Sequence, residues 1–496
     1  MSPLLLAVMV EGPLVLPPAL FRVEEPDFPG AIASSDRGAV LSAPPPPGTA
    51  WTREAFPEVD ASAEEGVHAL NADLWQATGS TGAGVRVAVF DVQWFGAETH
   101  PAELGAFETW DCWAHRSCEV PMDTLRPAFA SEVGGHGWAC AEVIRAIAPD
   151  VELHLVRVNG RTALENAVAW AIREDIDLIS MSLSFFGNSF YDGTGPVNEL
   201  MDELRDADVL MVTSAGNYAR GHWAGRWQDG DGDGRLDFDG DNRLTVELTA
   251  GRAGAIYLAW DQYRGCGATD LDMLVYDREG RVVARSEEAQ DPNLDGCEPA
   301  ERLNALVRET GLYEVEVIAR RGQRMDLALD LFAKDGRIPD TVPQGSVVDP
   351  GTSPHVLTVG AADAAHYLDG PLEVFSSQGP TKAGLAKPEI VGPDGLSTRF
   401  YGARGFYGTS ASTPAVVGAL ALLLSAEPDL SPWQAAERLE GAAWGGRAGW
   451  EAPDPGEGWG RARLPPPAEG QGCGRRRVLL PLWLLPLWWW GSRRRE

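Results

Sequence analysis

From Val67 onward, short apolar runs alternate with stretches of helical spacing. Residues 85–90 form an apolar run of strand length that ends in Asp91. Residues 136–147 and 162–174 repeat apolar positions every three or four residues. In the second stretch Leu164, Ala167, Val168, Ala171 and Ile172 share one face, which predicts an amphipathic helix. Thr162 and Glu165 stand at capping-box spacing at its start. Residues 152–158, 176–181 and 209–213 read as further buried strands. Strands alternating with helices in this way predict an α/β fold: a doubly wound, mainly parallel sheet with helices on both faces.

The rhythm breaks near Gly221. Residues 244–248, 271–276, 312–318 and 325–332 alternate apolar and polar with period two, which predicts an inserted antiparallel β-sandwich. The α/β pattern resumes at residues 356–361 and leads to Gly408-Thr409-Ser410-Ala411-Ser412-Thr413-Pro414. The next eleven residues are nearly all apolar, so that helix should run through the core. Pro414 is expected in the first turn, which would start the helix near Ser410. The chain thus divides into a leader and proline-rich linker (1–66, a candidate propeptide), α/β body (67–221), sandwich (222–335), α/β body (336–468) and tail (469–496).

Composition narrows the partners. The net charge is −31 and the pI about 4.6, which argues against nucleic acid, whose phosphates need a basic surface. Six cysteines show no zinc spacing; Cys112 with Cys118 and Cys266 with Cys297 are candidate disulfides in an oxidising compartment. Residues 4–10 form a short apolar run without a preceding basic residue, a weak secretion signal. Near the other end, Cys473 and three arginines precede residues 478–490, and three more arginines follow. As a helix this apolar stretch would span about 20 Å against about 30 Å of hydrocarbon, and Pro481 and Pro486 interrupt it.

Candidate chemistry sits at the ends of the predicted strands and starts of the predicted helices. Asp91 closes a strand, His136 lies in Gly134-Gly135-His136-Gly137, and Ser410 opens the apolar helix. Asn217, in Ser214-Ala215-Gly216-Asn217, adds an amide donor after another strand. A serine hydroxyl needs a base and an orienting acid to act as a nucleophile, and these three residue types supply that set. Separately, Asp229, Asp231, Asp233 and Asp237 alternate with glycines like the first part of a calcium loop, although Gly240 stands where the usual bidentate glutamate would be.

In the order Asp, His, Ser these blocks resemble the subtilisin-like serine proteases, or subtilases, over about residues 67–221 and 336–465. Residues 177–183, 375–381 and 387–389 extend the likeness. The resemblance implies an exported endopeptidase that hydrolyses polypeptides through an acyl-enzyme on Ser410. His136 would act as base and Asp91 as its orienter. The Asn217 side chain and the Ser410 N–H would bind the oxyanion. Ser182, Leu183, Ser184, Ala215 and Gly216 would pair with extended substrate. No cofactor is expected for the chemistry, Ca²⁺ at the acidic loop would serve stability, and a monomer is expected. The tail resembles C-terminal sorting signals of myxobacterial and related Gram-negative surface proteins, implying transient membrane association through residues 478–490 and release to the cell surface or medium. Val92-Gln93 after the acid, Trp138 after His136-Gly137, and Ala415-Val416 after Pro414 depart from the family pattern. Trp138 would place a bulky ring near the base, which keeps a second reading open: a surface binding protein on an inactive subtilase scaffold.

Overall fold

Strand β1 (Arg86–Asp91) has five buried residues out of six because helices cover both of its faces. Val87 and Val89 point into one apolar cluster, Ala88 and Phe90 into another. The computed structural model describes residues 63–94, 104–113, 117–118, 134–251, 253–263, 268–291, 298–322, 326–445 and 453–467, with four short strands before residue 54. The remaining strands of the main sheet are β2 (Phe107–Asp111), β3 (Glu152–Arg157), β4 (Leu178–Met181) and β5 (Leu210–Ser214). Two more, Leu357–Asp363 and Ile390–Asp394, come after the sandwich. Together they form a seven-stranded parallel sheet, with β1 central between β4 and β3.

On one face lie α1 (Glu64–Ala69), α2 (Ala72–Ala77) and α3 (His136–Ile147). On the other lie α4 (Arg161–Arg173) and α5 (Pro196–Asp206). The Thr162–Glu165 capping box does not form. Gly160, at φ 85°, takes the N-cap position without a side-chain cap, and Arg161 pairs with Glu165 instead.

The inserted sandwich has two antiparallel four-stranded sheets. Its strands are β6 (His222–Arg226), β7 (Leu244–Leu248), β8 (Ala253–Trp260), β9 (Thr269–Tyr276), β10 (Val282–Ser286), β11 (Ala300–Leu306), β12 (Gly311–Gly322) and β13 (Ala328–Ala333). The orders are β6-β13-β8-β11 and β7-β12-β9-β10. Alternate residues such as Ile256, Leu258, Trp260, Leu329 and Leu331 fill the space between the sheets.

The chain then returns to the main sheet as β14 (Leu357–Asp363) and β15 (Ile390–Asp394) and adds a two-stranded ribbon, β16 (Leu396–Thr398) and β17 (Gly402–Phe406). Helix α6 (Thr409–Ala426) follows, then α7 (Pro432–Gly441). Among the described residues α6 is long and apolar enough to cross a membrane, but 83% of that window is buried inside the body. It is the core helix its composition predicts. Pro414 is its sixth residue, past the first turn where it was expected.

Within the leader, Phe21–Val23, Ala33–Ser35, Gly38–Leu41 and Trp51–Arg53 pair as a small antiparallel sheet, where the proline content predicts extended linker. None of these four segments contains a proline. Cys112 and Cys118 are disulfide-bonded, and Cys140 is a buried free thiol. Cys266, Cys297, Cys473 and the tail at 478–490 lie outside the described residues.

Candidate active site

Parallel strands end together at one edge of the sheet, and the candidate residues gather there. Asp91, at the end of β1, is fully buried. Its Oδ1 accepts the backbone N–H groups of Val92 and Gln93 at 2.8 and 2.9 Å. Its Oδ2 lies 2.6 Å from Nδ1 of His136, the first residue of α3. Two fixed N–H donors on one oxygen leave the other aimed at the imidazole. Burial lowers the affinity of His136 for a proton, but the Asp91 charge and hydrogen bond outweigh it, and the pKa is raised above the ordinary 6.5. Gly137 is required next to it, because a Cβ there would come within 2.7 Å of the Trp94 ring.

Ser410 is the second residue of α6, where backbone N–H groups have no intrahelical acceptor. Gly408, at φ 109°, makes the turn before it, and its N–H donates to Asp394 at 2.9 Å. Asn217, after β5, accepts the Thr409 N–H and hydroxyl on Oδ1 at 3.0 and 3.1 Å. That leaves the Asn217 amide NH₂ as its donor group beside the nucleophile turn. Pro414 has no N–H, so the Ser410 carbonyl loses the helical bond it would have received. The Ser182 hydroxyl and, more distantly, the Cys140 thiol take that carbonyl instead, at 3.2 and 3.7 Å.

Asp91, His136, Ser182, Gly216, Asn217 and Ser410 line one cleft of about 600 Å³. Leu183 and Ser184 line it as well. Ala215 lies beneath, fully buried, with its N–H given to the Val359 carbonyl. Trp138 stays out of the cleft. Its ring is buried against Trp94 and Phe107, edge to face, and its Nε1 donates to the Trp94 carbonyl at 3.1 Å. The departure from the family pattern is therefore absorbed by the core under α3, not by the space around the base.

Two features of the site escape sequence reasoning. Asp394, which holds the Gly408 turn, ends a strand in an unremarkable Gly-Pro-Asp. The far wall of the cleft carries Tyr257, Arg302 and Lys334, which belong to the sandwich. Tyr257 lies on β8 (Ala253–Trp260), a strand outside the alternating runs that predict the sandwich.

In the acidic loop, carboxylate oxygens of Asp229, Asp231 and Asp233 converge within 4.8 Å of one another. Asp229 Oδ1 is buried without a hydrogen-bond partner. Asp237 caps the loop through the Gly230 N–H at 2.7 Å, and Arg235 pairs with Asp233.

Comparison with known proteins places this arrangement. The subtilase family model matches residues 82–255 and 333–460, more than half of the chain, and breaks off across most of the sandwich. The chain belongs to the subtilase family of serine proteases. It is similar to the serine protease AprX of Bacillus subtilis, 36% identical over 131 residues, which is 22% of this chain and 28% of AprX. It is also similar to the human membrane-bound transcription factor site-1 protease, 34% identical over 161 residues, 30% of this chain and 14% of that protein. The chain thus spans less than a third of either relative. Among solved structures, the Clostridium perfringens CspB protease superposes with a TM-score of 0.55 at 18% identity, covering 81% of this chain and 97% of that one. At that identity the likeness concerns the fold, a subtilisin-like α/β sheet.

Proposed function

We propose that this serine protease is an exported endopeptidase that cleaves extended polypeptides through an acyl-enzyme on Ser410. One observation carries the reading: a buried carboxylate holds Nδ1 of His136 at 2.6 Å, on the same cleft as a serine at a helix start. His136 Nε2 takes the Ser410 proton during attack and returns it to the leaving amine. Asp91 fixes the imidazole tautomer and stabilises the imidazolium. The Asn217 amide and the Ser410 N–H supply the oxyanion donors. Residues 182–184 and Gly216, which line the cleft, offer backbone for a substrate strand to pair with.

The Cys112–Cys118 bond supports an oxidising compartment and hence export. The tail would hold the body at the membrane for a time before release. Ca²⁺ fits the acidic loop: three convergent carboxylates and an unpartnered buried oxygen on Asp229 suit a hard cation. There it would brace the start of the sandwich and take no part in the chemistry.

Fluorophosphonate labelling of the full chain tests the proposal. Wild type should label, and Ser410→Ala and His136→Ala should not. A folded wild type that fails to label would sink the protease reading and return the inactive-scaffold alternative, which now lacks Trp138 as its support.

A further inference from the structure

The sandwich is not a passive appendage, because one of its faces forms part of the cleft. Along β8, Ile256, Leu258 and Trp260 point into the sandwich, so Tyr257 and Ala259 point out. Tyr257 is in register with Arg302 on β11 and with Phe332 on β13. Lys334 follows Phe332 by two residues, just past the end of β13, and its N–H is still fixed by the Ala255 carbonyl at 2.8 Å. The outward face docks on aromatic residues of the catalytic body. Phe186 stacks on Tyr257 at 4.3 Å, and Phe332 meets Phe186 and Tyr191 edge to face. Phe186 follows the predicted substrate segment within two residues, and Tyr218 follows Asn217 directly. The docking therefore sets Tyr257, Arg302 and Lys334 on the cleft wall.

The charges on that wall differ. Arg302 is occupied: it donates to the Gly187 carbonyl at 3.0 Å and pairs with Glu298 at 2.5 Å. Lys334 is exposed, and among the described residues its ammonium has no hydrogen-bond or ion-pair partner. The chain has three lysines in all, and the other two are committed, Lys382 to Asp330 and Lys387 to Glu389. Asp335 is the nearby acid in sequence, yet it forms no ion pair with Lys334 and does not line the cleft. The chain as a whole carries a net charge of −31, so this ammonium is a local exception to its acidity.

We propose that the inserted sandwich sets substrate preference, and that Lys334 selects polypeptides carrying an acidic side chain at one position near the scissile bond. The inference rests on the protease reading given above.

The test uses the full chain and quenched fluorescent peptides in which a single Glu is walked through the positions flanking the cleaved bond, against Gln at the same place. Wild type should favour Glu at one position by about tenfold in kcat/KM. That ratio should fall to near one in Lys334→Ala, survive in Lys334→Arg, and fall below one in Lys334→Glu. High salt should shrink it. Equal turnover of all Glu and Gln peptides, or a preference unchanged in Lys334→Ala, overturns the proposal. Should wild type not hydrolyse peptides at all, anisotropy on Ser410→Ala with the same peptides gives the answer independently. Tighter binding of a Glu peptide that is lost in Ser410→Ala/Lys334→Ala upholds Lys334 while the protease reading falls; equal binding of Glu and Gln peptides removes both.

Discussion

Replacing Asp394 by Asn should remove a pH dependence of stability that the nucleophile turn imposes on the fold. Asp394 is fully buried at the end of β15. One oxygen accepts the Gly408 N–H, and the other has no partner. Burial, together with the charges of Glu373 and Asp363, pushes its pKa up from the ordinary 3.8 to about 7; the Gly408 bond and the Arg404 guanidinium oppose the rise. A pKa higher in the folded state means that the folded protein holds the proton more tightly than the unfolded chain. The stabilisation is therefore complete below about pH 4 and lost as pH rises through about 7. A difference of about three units corresponds to about 4 kcal/mol between those limits, an order of magnitude for one buried group. Asparagine keeps an acceptor for Gly408 and cannot ionise, so the variant should be flatter with pH and more stable than its parent near pH 8. Urea unfolding at pH 4.5, 6 and 8 measures this, with both proteins in a Ser410→Ala background to prevent self-digestion. Glu301 and Glu440, raised to about 7 and about 8, titrate with the same sign in both proteins and cancel in the comparison. Identical pH profiles for the two proteins would refute the assignment of this slope to Asp394.

Two further outcomes follow from the site and the loop. Asn217→Ala should lower kcat by about 10²–10³ with little change in KM, a figure measured on subtilisin itself and so inherited from the family; a change in KM alone would mean that Asn217 serves binding and not the oxyanion. Removing Ca²⁺ with a chelator should lower the melting temperature of wild type by several degrees and leave Asp229→Asn nearly unmoved; equal shifts in both would place any calcium effect elsewhere.

The pieces that meet in the candidate site were legible because each is a local pattern. An apolar strand ending in Asp, a glycine-flanked His at a helix start and a small-residue turn before an all-apolar helix each announce their position in the chain. What was missed depends on tertiary contacts. The sequence of α4 offers a capping box, but Gly160 adopts a conformation that moves the N-cap two residues earlier, so Thr162 falls inside the first turn. Trp138 reads as an obstruction beside the base. Whether it points to the cleft or the core is decided by the room that Trp94 and Phe107 leave under α3. Pro414 reads as a first-turn residue, yet it sits deeper, because Ser182 satisfies the carbonyl that the proline frees. Asp394 and Lys334 have no local signature at all. Their surroundings come from segments that are distant in sequence.

The sandwich leaves the body and rejoins it at one point. Its first and last strands are neighbours, His222 faces Phe332, and the Ala333 N–H returns to the Gly221 carbonyl at 2.7 Å. A segment with adjoining ends can be gained, lost or traded in a single recombination event without cutting the parallel sheet. Because that segment also furnishes one wall of the cleft, such an exchange would replace that wall in one step. The machinery around Ser410 would pass through it unchanged, so the cleft wall can be exchanged as a cassette as well as altered by point substitution.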